Sequence, residues 1–136
     1  MGFCLGDALR LPFRNESFDA VVSFDVIEHL EDGLTFLKEI KRIMKKDAKL
    51  LCETPNRGRL SLKMKGLVKP IGYPMVLGPG CVHIKEYSKE ELEKLLITAG
   101  FRHVKIMGVW LGLRGRFEGD KHVSQILGKR FGMLAS

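Results

Sequence analysis

The densest concentration of chemistry in this 136-residue chain is Asp25-Val26-Ile27-Glu28-His29, which sets two carboxylates and an imidazole within one helical turn. An unperturbed imidazole titrates near neutrality, so His29 is the natural candidate for moving a proton at physiological pH. Oxygen-rich ligation with one or two imidazoles also suits magnesium, manganese or zinc. A second concentration is charge. From Lys41 to Lys69 there are ten basic residues against two acidic ones, so this stretch alone exceeds the net +7 of the chain. Such a cluster suits phosphates or an anionic membrane surface. The three cysteines, Cys4, Cys52 and Cys81, are odd in number and widely spaced, which argues against a disulfide framework or a cysteine zinc site.

These residues must be positioned by one ordinary globular domain, because 45% apolar and 29% charged residues fit neither a disordered nor a low-complexity chain. No apolar stretch approaches the roughly 20 residues of a membrane span, and Met1 opens no signal sequence. A cytoplasmic location is the expectation. Two apolar runs, Gly2 to Leu5 and Ala20 to Phe24, read as strands buried on both faces. Asp32 is a good N-cap, and Leu34, Leu37, Ile40, Ile43 and Met44 form one helical stripe that predicts a helix ending near Lys46. Lys49 to Glu53 predicts a further strand, so strand, helix and strand imply a right-handed crossover.

Residues 57–80 predict an irregular excursion, with apolar side chains interleaved among cations. Such a mixture suits a membrane interface or a cover over an apolar acceptor. Ser88-Lys89-Glu90-Glu91 is a capping box, Leu92, Leu95, Leu96 and Ala99 continue a helix, and Gly100 stops it. Phe101 to Trp110 predicts another strand. Val123, Ile126 and Leu127 have weak helical spacing.

Five motifs in order carry a resemblance: Gly6-Asp7-Ala8, Leu11-Pro12-Phe13, Ser17 to Val22, Val26-Ile27-Glu28-His29-Leu30, and Thr54-Pro55-Asn56. Together with His83 to Ser88 and Ala99-Gly100-Phe101, they resemble the class I S-adenosylmethionine-dependent methyltransferases, especially the small-molecule and quinone-type branches. The resemblance implies an α/β Rossmann-like fold with a mostly parallel sheet flanked by helices. It also implies S-adenosyl-L-methionine as cofactor, S-adenosyl-L-homocysteine as product, and a small-molecule or lipid-like methyl acceptor. It places Asp7, Ala8 and Leu9 at the adenine and Ser23, Phe24 and Asp25 at the methionine part of the cofactor.

The resemblance further implies catalytic roles for His29, Glu28 and His83. Some family members hold a divalent ion with an acidic-x-x-Glu-His constellation and a later histidine. That histidine falls at His83, but Asp25 stands where those members carry glutamate, so no residue is assigned to a metal.

The chain departs from the pattern in lacking the glycine-rich turn after the family's first strand and the acidic residue that holds the ribose. It is therefore read as one domain, residues 1–136, forming the carboxyl-terminal two thirds of the family domain, with residues 57–80 as a variable substrate cap. Losing two or three cofactor hydrogen bonds at about 1 to 1.5 kcal/mol each lowers affinity roughly 30- to 1,000-fold. Without its usual neighbour, the Ala20 to Phe24 strand would present an apolar edge, and self-association or pairing with the first strand is expected. The rival reading is a non-catalytic basic module that binds RNA or an anionic membrane through residues 57–69.

Overall fold

A computed structural model describes residues 2–58, 72–108 and 130–136. In chain order these form strand β1 (Phe18–Phe24), a 3-10 turn (Ile27–His29), helix α1 (Gly33–Ile43) and strand β2 (Met44–Pro55). There follow strands β3 (Met75–Gly78) and β4 (Cys81–His83), helix α2 (Lys89–Thr98), and strands β5 (Lys105–Gly108) and β6 (Arg130–Ala135). The main sheet has the order β1-β2-β6-β5, and β3 and β4 form a separate hairpin.

The unit β1-α1-β2 is a parallel crossover, with Ala20 opposite Lys49 and Phe24 opposite Glu53. Helix α1 starts where Asp32 accepts the Thr35 amide, so a capping side chain replaces one missing helical partner. Its buried Phe36, Leu37 and Ile40 share one core cluster with Leu50, Cys52, Met133 and Ala135 of the sheet and with Leu92 and Leu96 of α2. Burying each such leucine or isoleucine stabilises the fold by about 1.5 to 3 kcal/mol. Helix α2 begins in the predicted capping box, with Ser88 and Glu91 each bonded to the other's backbone amide. It ends before Gly100, whose φ of +93° requires a residue without Cβ strain.

Four expectations are corrected. Gly2 to Leu5 is not a strand: Phe3 and Leu5 stand in solvent, and no ladder neighbour among the described residues satisfies that backbone. Helix α1 stops at Ile43 rather than near Lys46, because Met44 turns extended and pairs with Phe18. The Arg42 and Ile43 carbonyls are then satisfied by the Glu16 and Ser17 amides. Within the stretch expected to be irregular, Met75–Gly78 forms a strand paired antiparallel with β4.

Finally, where mostly parallel pairing was expected the sheet is mixed, since β6 runs antiparallel to both β2 and β5. Residues 59–71 of the excursion and the weak helical pattern at Val123, Ile126 and Leu127 lie outside the described residues. No helix among the described residues is long and apolar enough to cross a membrane.

Candidate active site

Strand β1 ends at Phe24, and Asp25 turns the chain with φ of +51°, a left-handed conformation that aspartate tolerates better than most residues. The Asp25 amide bonds the Glu53 carbonyl at 3.1 Å, so the turn stays fastened to β2. The 3-10 turn that follows delivers Glu28 and His29. Opposite it, β4 ends at His83.

The two imidazoles meet edge to face with ring centres 5.0 Å apart. One side-chain ligand atom each from Glu28, His29 and His83 lies within 4.8 Å of the other two. Residues separated by more than fifty positions are thereby gathered at the carboxyl end of β1, the edge at which open α/β sheets bind ligands.

Glu28 is fully buried. Its Oε2 accepts the Thr54 hydroxyl at 3.0 Å, whereas Oε1 has no hydrogen-bond partner among the described residues. Burial holds this carboxyl above the ordinary glutamate range, and the neighbouring Asp25 carboxylate adds to the rise, against the opposing pull of the Thr54 bond. The Nδ1 of His29 lies 2.7 Å from the Val82 carbonyl, and the Nδ1 of His83 lies 2.7 Å from Glu86 Oε1. Because both partners are acceptors, each Nδ1 carries a hydrogen, and each Nε2 is left as the basic atom. The cluster can accept a proton. Its donor set of one carboxylate and two imidazoles also suits a divalent cation.

The residues expected at the cofactor divide into two groups. Ala8, Ser23 and Phe24 line one open apolar groove of about 620 Å³ beside β1, together with Leu11, Phe13 and Val26. Asp7, Leu9 and Asp25 are not among its lining residues. Asp7 is exposed and shapes a tight turn: its Oδ1 accepts the Leu9 amide at 2.9 Å, and its carbonyl accepts the Arg10 amide at 3.0 Å. That turn is held against α1 by Arg42, which donates to the Leu11 and Phe13 carbonyls and to Asn15, and by Glu39, which accepts the Leu11 amide.

The sequence reasoning gave no role to Thr54 or Glu86, although both lie inside motifs it singled out, and the i, i+3 spacing of His83 and Glu86 is the signal that could have pointed to their contact. It also passed over Tyr73, whose hydroxyl donates to Glu86 at 3.1 Å.

Comparison with known proteins bears on what this edge is for. Residues 1–52 match the family model described as a methyltransferase domain. A Mycobacterium tuberculosis protein named as a probable S-adenosylmethionine-dependent methyltransferase is 34% identical over 118 residues, which is 87% of this chain and 39% of that protein. The ubiquinone biosynthesis O-methyltransferase of Dinoroseobacter shibae is 33% identical over 75% of this chain and 41% of its own length. The chain is a relative of the S-adenosylmethionine-dependent methyltransferases.

It spans well under half the length of these two curated relatives. Among solved structures, a SAM-dependent methyltransferase from Thermotoga maritima, described as a possible histamine N-methyltransferase, superimposes with a TM-score of 0.70 at 22% identity. That likeness covers 96% of this chain and 61% of the other, and it establishes the shared fold. A phosphoethanolamine N-methyltransferase of Haemonchus contortus, solved with S-adenosylhomocysteine, matches at 0.50 over 74% of this chain and 21% of the other, with 26% identity.

Proposed function

We propose that this chain carries the acceptor side and part of the cofactor side of an S-adenosylmethionine-dependent methyltransferase acting on a small-molecule or lipid-like acceptor. The observation that carries the reading is the convergence of Glu28, His29 and His83 within 4.8 Å at the carboxyl end of β1, in a chain whose relatives are named for this chemistry. The groove lined by Ala8, Ser23 and Phe24 suits an adenosyl group on a mainly apolar wall, with the Ser23 hydroxyl buried in it.

When bound, the cofactor supplies a sulfonium methyl that needs only an aligned nucleophile. His29 Nε2 would take the proton from an acceptor hydroxyl, and the bound cofactor would supply the methyl group. His83 holds the other side of the acceptor, and the carboxylate of Glu28 favours the imidazolium that results. The name of one relative, a ubiquinone biosynthesis O-methyltransferase, supports testing quinone-related acceptors that carry an aromatic hydroxyl, catechols among them. Residues 57–80 serve as its cover, and self-association through the open β1 edge supplies neighbours for that edge.

The test is calorimetric titration with S-adenosylhomocysteine beside an Asp7→Ala control, followed by radiolabelled methyl transfer to catechols with and without an alkyl tail. Micromolar binding weakened by Asp7→Ala, and labelled product lost in His29→Ala, are the expected outcomes. No binding at millimolar ligand, with steeply salt-dependent binding of RNA or anionic vesicles instead, would overturn the reading in favour of a basic module.

The 4.8 Å spacing favours one second reading, a divalent cation held by the same three residues. Calorimetry with magnesium and zinc in the wild type and in His83→Ala separates the two: heat of binding lost in the variant supports the cation.

A further inference from the structure

We infer that Glu86 is a positioning residue for His83, fixing which ring nitrogen the site receives as a base; the inference rests on the cluster proposed above. Glu86 is completely buried and His83 nearly so, and their Nδ1 to Oε1 distance is 2.7 Å. A buried carboxylate accepts hydrogen bonds only, so the Nδ1 of His83 must donate and its Nε2 lone pair must face the other way. The second Glu86 oxygen is held by the Tyr73 hydroxyl at 3.1 Å, which keeps the carboxylate from rotating off the ring.

The segment that carries this pair is tied to the opposite side of the site. The Ile84 and Lys85 amides both donate to the Glu28 carbonyl, at 2.8 and 3.1 Å, and the Val82 carbonyl accepts from His29. Residue 87 is fastened in turn, since the Arg57 amide donates to the Tyr87 carbonyl at 3.0 Å. His83 and His29 are therefore held by the same strand end but by different acceptors. A neutral carbonyl orients His29, whereas a carboxylate orients His83. Partners of this kind behind functional histidines set tautomer and ring direction, and losing one costs about 10- to 100-fold in activity.

The experiment is a long-range nitrogen–proton NMR correlation on the uniformly ¹⁵N-labelled full chain, which reads the tautomer of each histidine directly. It is run on the wild type and on Glu86→Gln, Glu86→Ala and Tyr73→Phe. The expected wild-type result is a single Nδ1–H tautomer at His83. Glu86→Ala should convert this to a mixture dominated by Nε2–H, while His29 stays unchanged as the internal control.

An Nε2–H tautomer in the wild type, or an unchanged Nδ1–H tautomer in Glu86→Ala with a native amide spectrum, would overturn the inference. Should both Glu86 variants unfold, Tyr73→Phe and the wild-type spectrum still decide it. The tautomer signal needs neither cofactor nor acceptor, so it stands or falls apart from the methyl-transfer assay. Where methyl transfer is measurable, Glu86→Gln should lower kcat about 10- to 100-fold with the KM for S-adenosylmethionine unchanged, whereas a merely structural role would lower the folded fraction and leave kcat per folded molecule intact.

Discussion

Glu28 sits fully buried with one oxygen on Thr54 and the Asp25 carboxylate beside it. Because burial raises its folded pKa above the unfolded value, the stability it contributes is complete below the ordinary glutamate range and is lost as pH rises through the folded value. Glu28→Gln, neutral at every pH, should therefore show a Tm that overtakes the wild type as pH is raised from 4 to 8, by thermal denaturation in parallel buffers. A wild-type advantage that grows with pH would contradict the burial argument.

The cysteines give a second test at this scale. Burial pushes the Cys52 thiol up to about 12, while Cys4 is exposed and all three thiols are free. An aromatic disulfide reagent at pH 8 should label Cys4 rapidly, and Cys52 only after denaturant is added.

At this scale the sequence was readable in residue type. Glu28, His29 and His83 were singled out, and they converge. The turn role of Asp7 was also weighable, since a short acidic side chain beside glycine bonds its own backbone readily. Thr54 was not legible as a partner of Glu28, because a hydrogen bond between residues 26 apart in sequence has no local signature, whereas the three-residue spacing of His83 and Glu86 is itself local.

Among the elements, the tightest junction is where α1 meets the segment before α2. A Cβ added at Gly33 would stand 2.5 Å from the Tyr87 hydroxyl and 3.1 Å from Ile27. Gly33→Ala should cost about 1 to 3 kcal/mol, the usual penalty of overpacking. Tyr87→Phe in the same chain should recover part of the loss, and urea denaturation of the four variants measures the coupling. A second junction is Arg42, which grips the loop before β1 through the Leu11 and Phe13 carbonyls and Asn15 while paired with Glu39 at 2.8 Å. Arg42→Met should leave α1 intact and open that loop, read as faster proteolytic cleavage between residues 7 and 16 with unchanged far-ultraviolet circular dichroism.

The helices were legible because Asp32, Ser88, Glu91 and Gly100 mark their ends by local chemistry, and all four do so in the structure. Strands were harder. Gly2 to Leu5 has strand composition and no strand partner among the described residues, and Met75 to Gly78 gains its structure from pairing with β4. Strand formation depends on a neighbour, which no single segment specifies.

For the whole molecule, one flank of the sheet invites a test. Among the described residues β1 pairs with β2 on one side and is the edge strand on the other, with Val22 59% and Phe24 52% exposed. Unprotected apolar edges template association. Light scattering over a tenfold concentration range should show a mass above 15.4 kDa that grows with concentration, and Val22→Lys should return the chain toward the monomer. A monomer at every concentration would contradict this expectation. The basic stretch, by contrast, is partly spent on internal pairs: Lys45 binds Asp19, Arg57 binds Glu91, and Lys41 lies over the Phe101 ring. That leaves a weaker electrostatic footprint than the sequence count suggested.

The antiparallel entry of β6 between β2 and β5 carries a kinetic consequence. Leu50 and Ala135 are ladder partners 85 residues apart, and among the described strands β5 has β6 as its one neighbour in the sheet. The unit from β1 to β2 can close early, since its contacts are local, but the side of β2 that faces β6 must wait for a strand far along the chain. Loop closure over such a distance is slow and leaves β2 with an unpaired side in the meantime. During synthesis, that side would stay open until β6 emerged, making the interval before its arrival a period of exposure to misassembly.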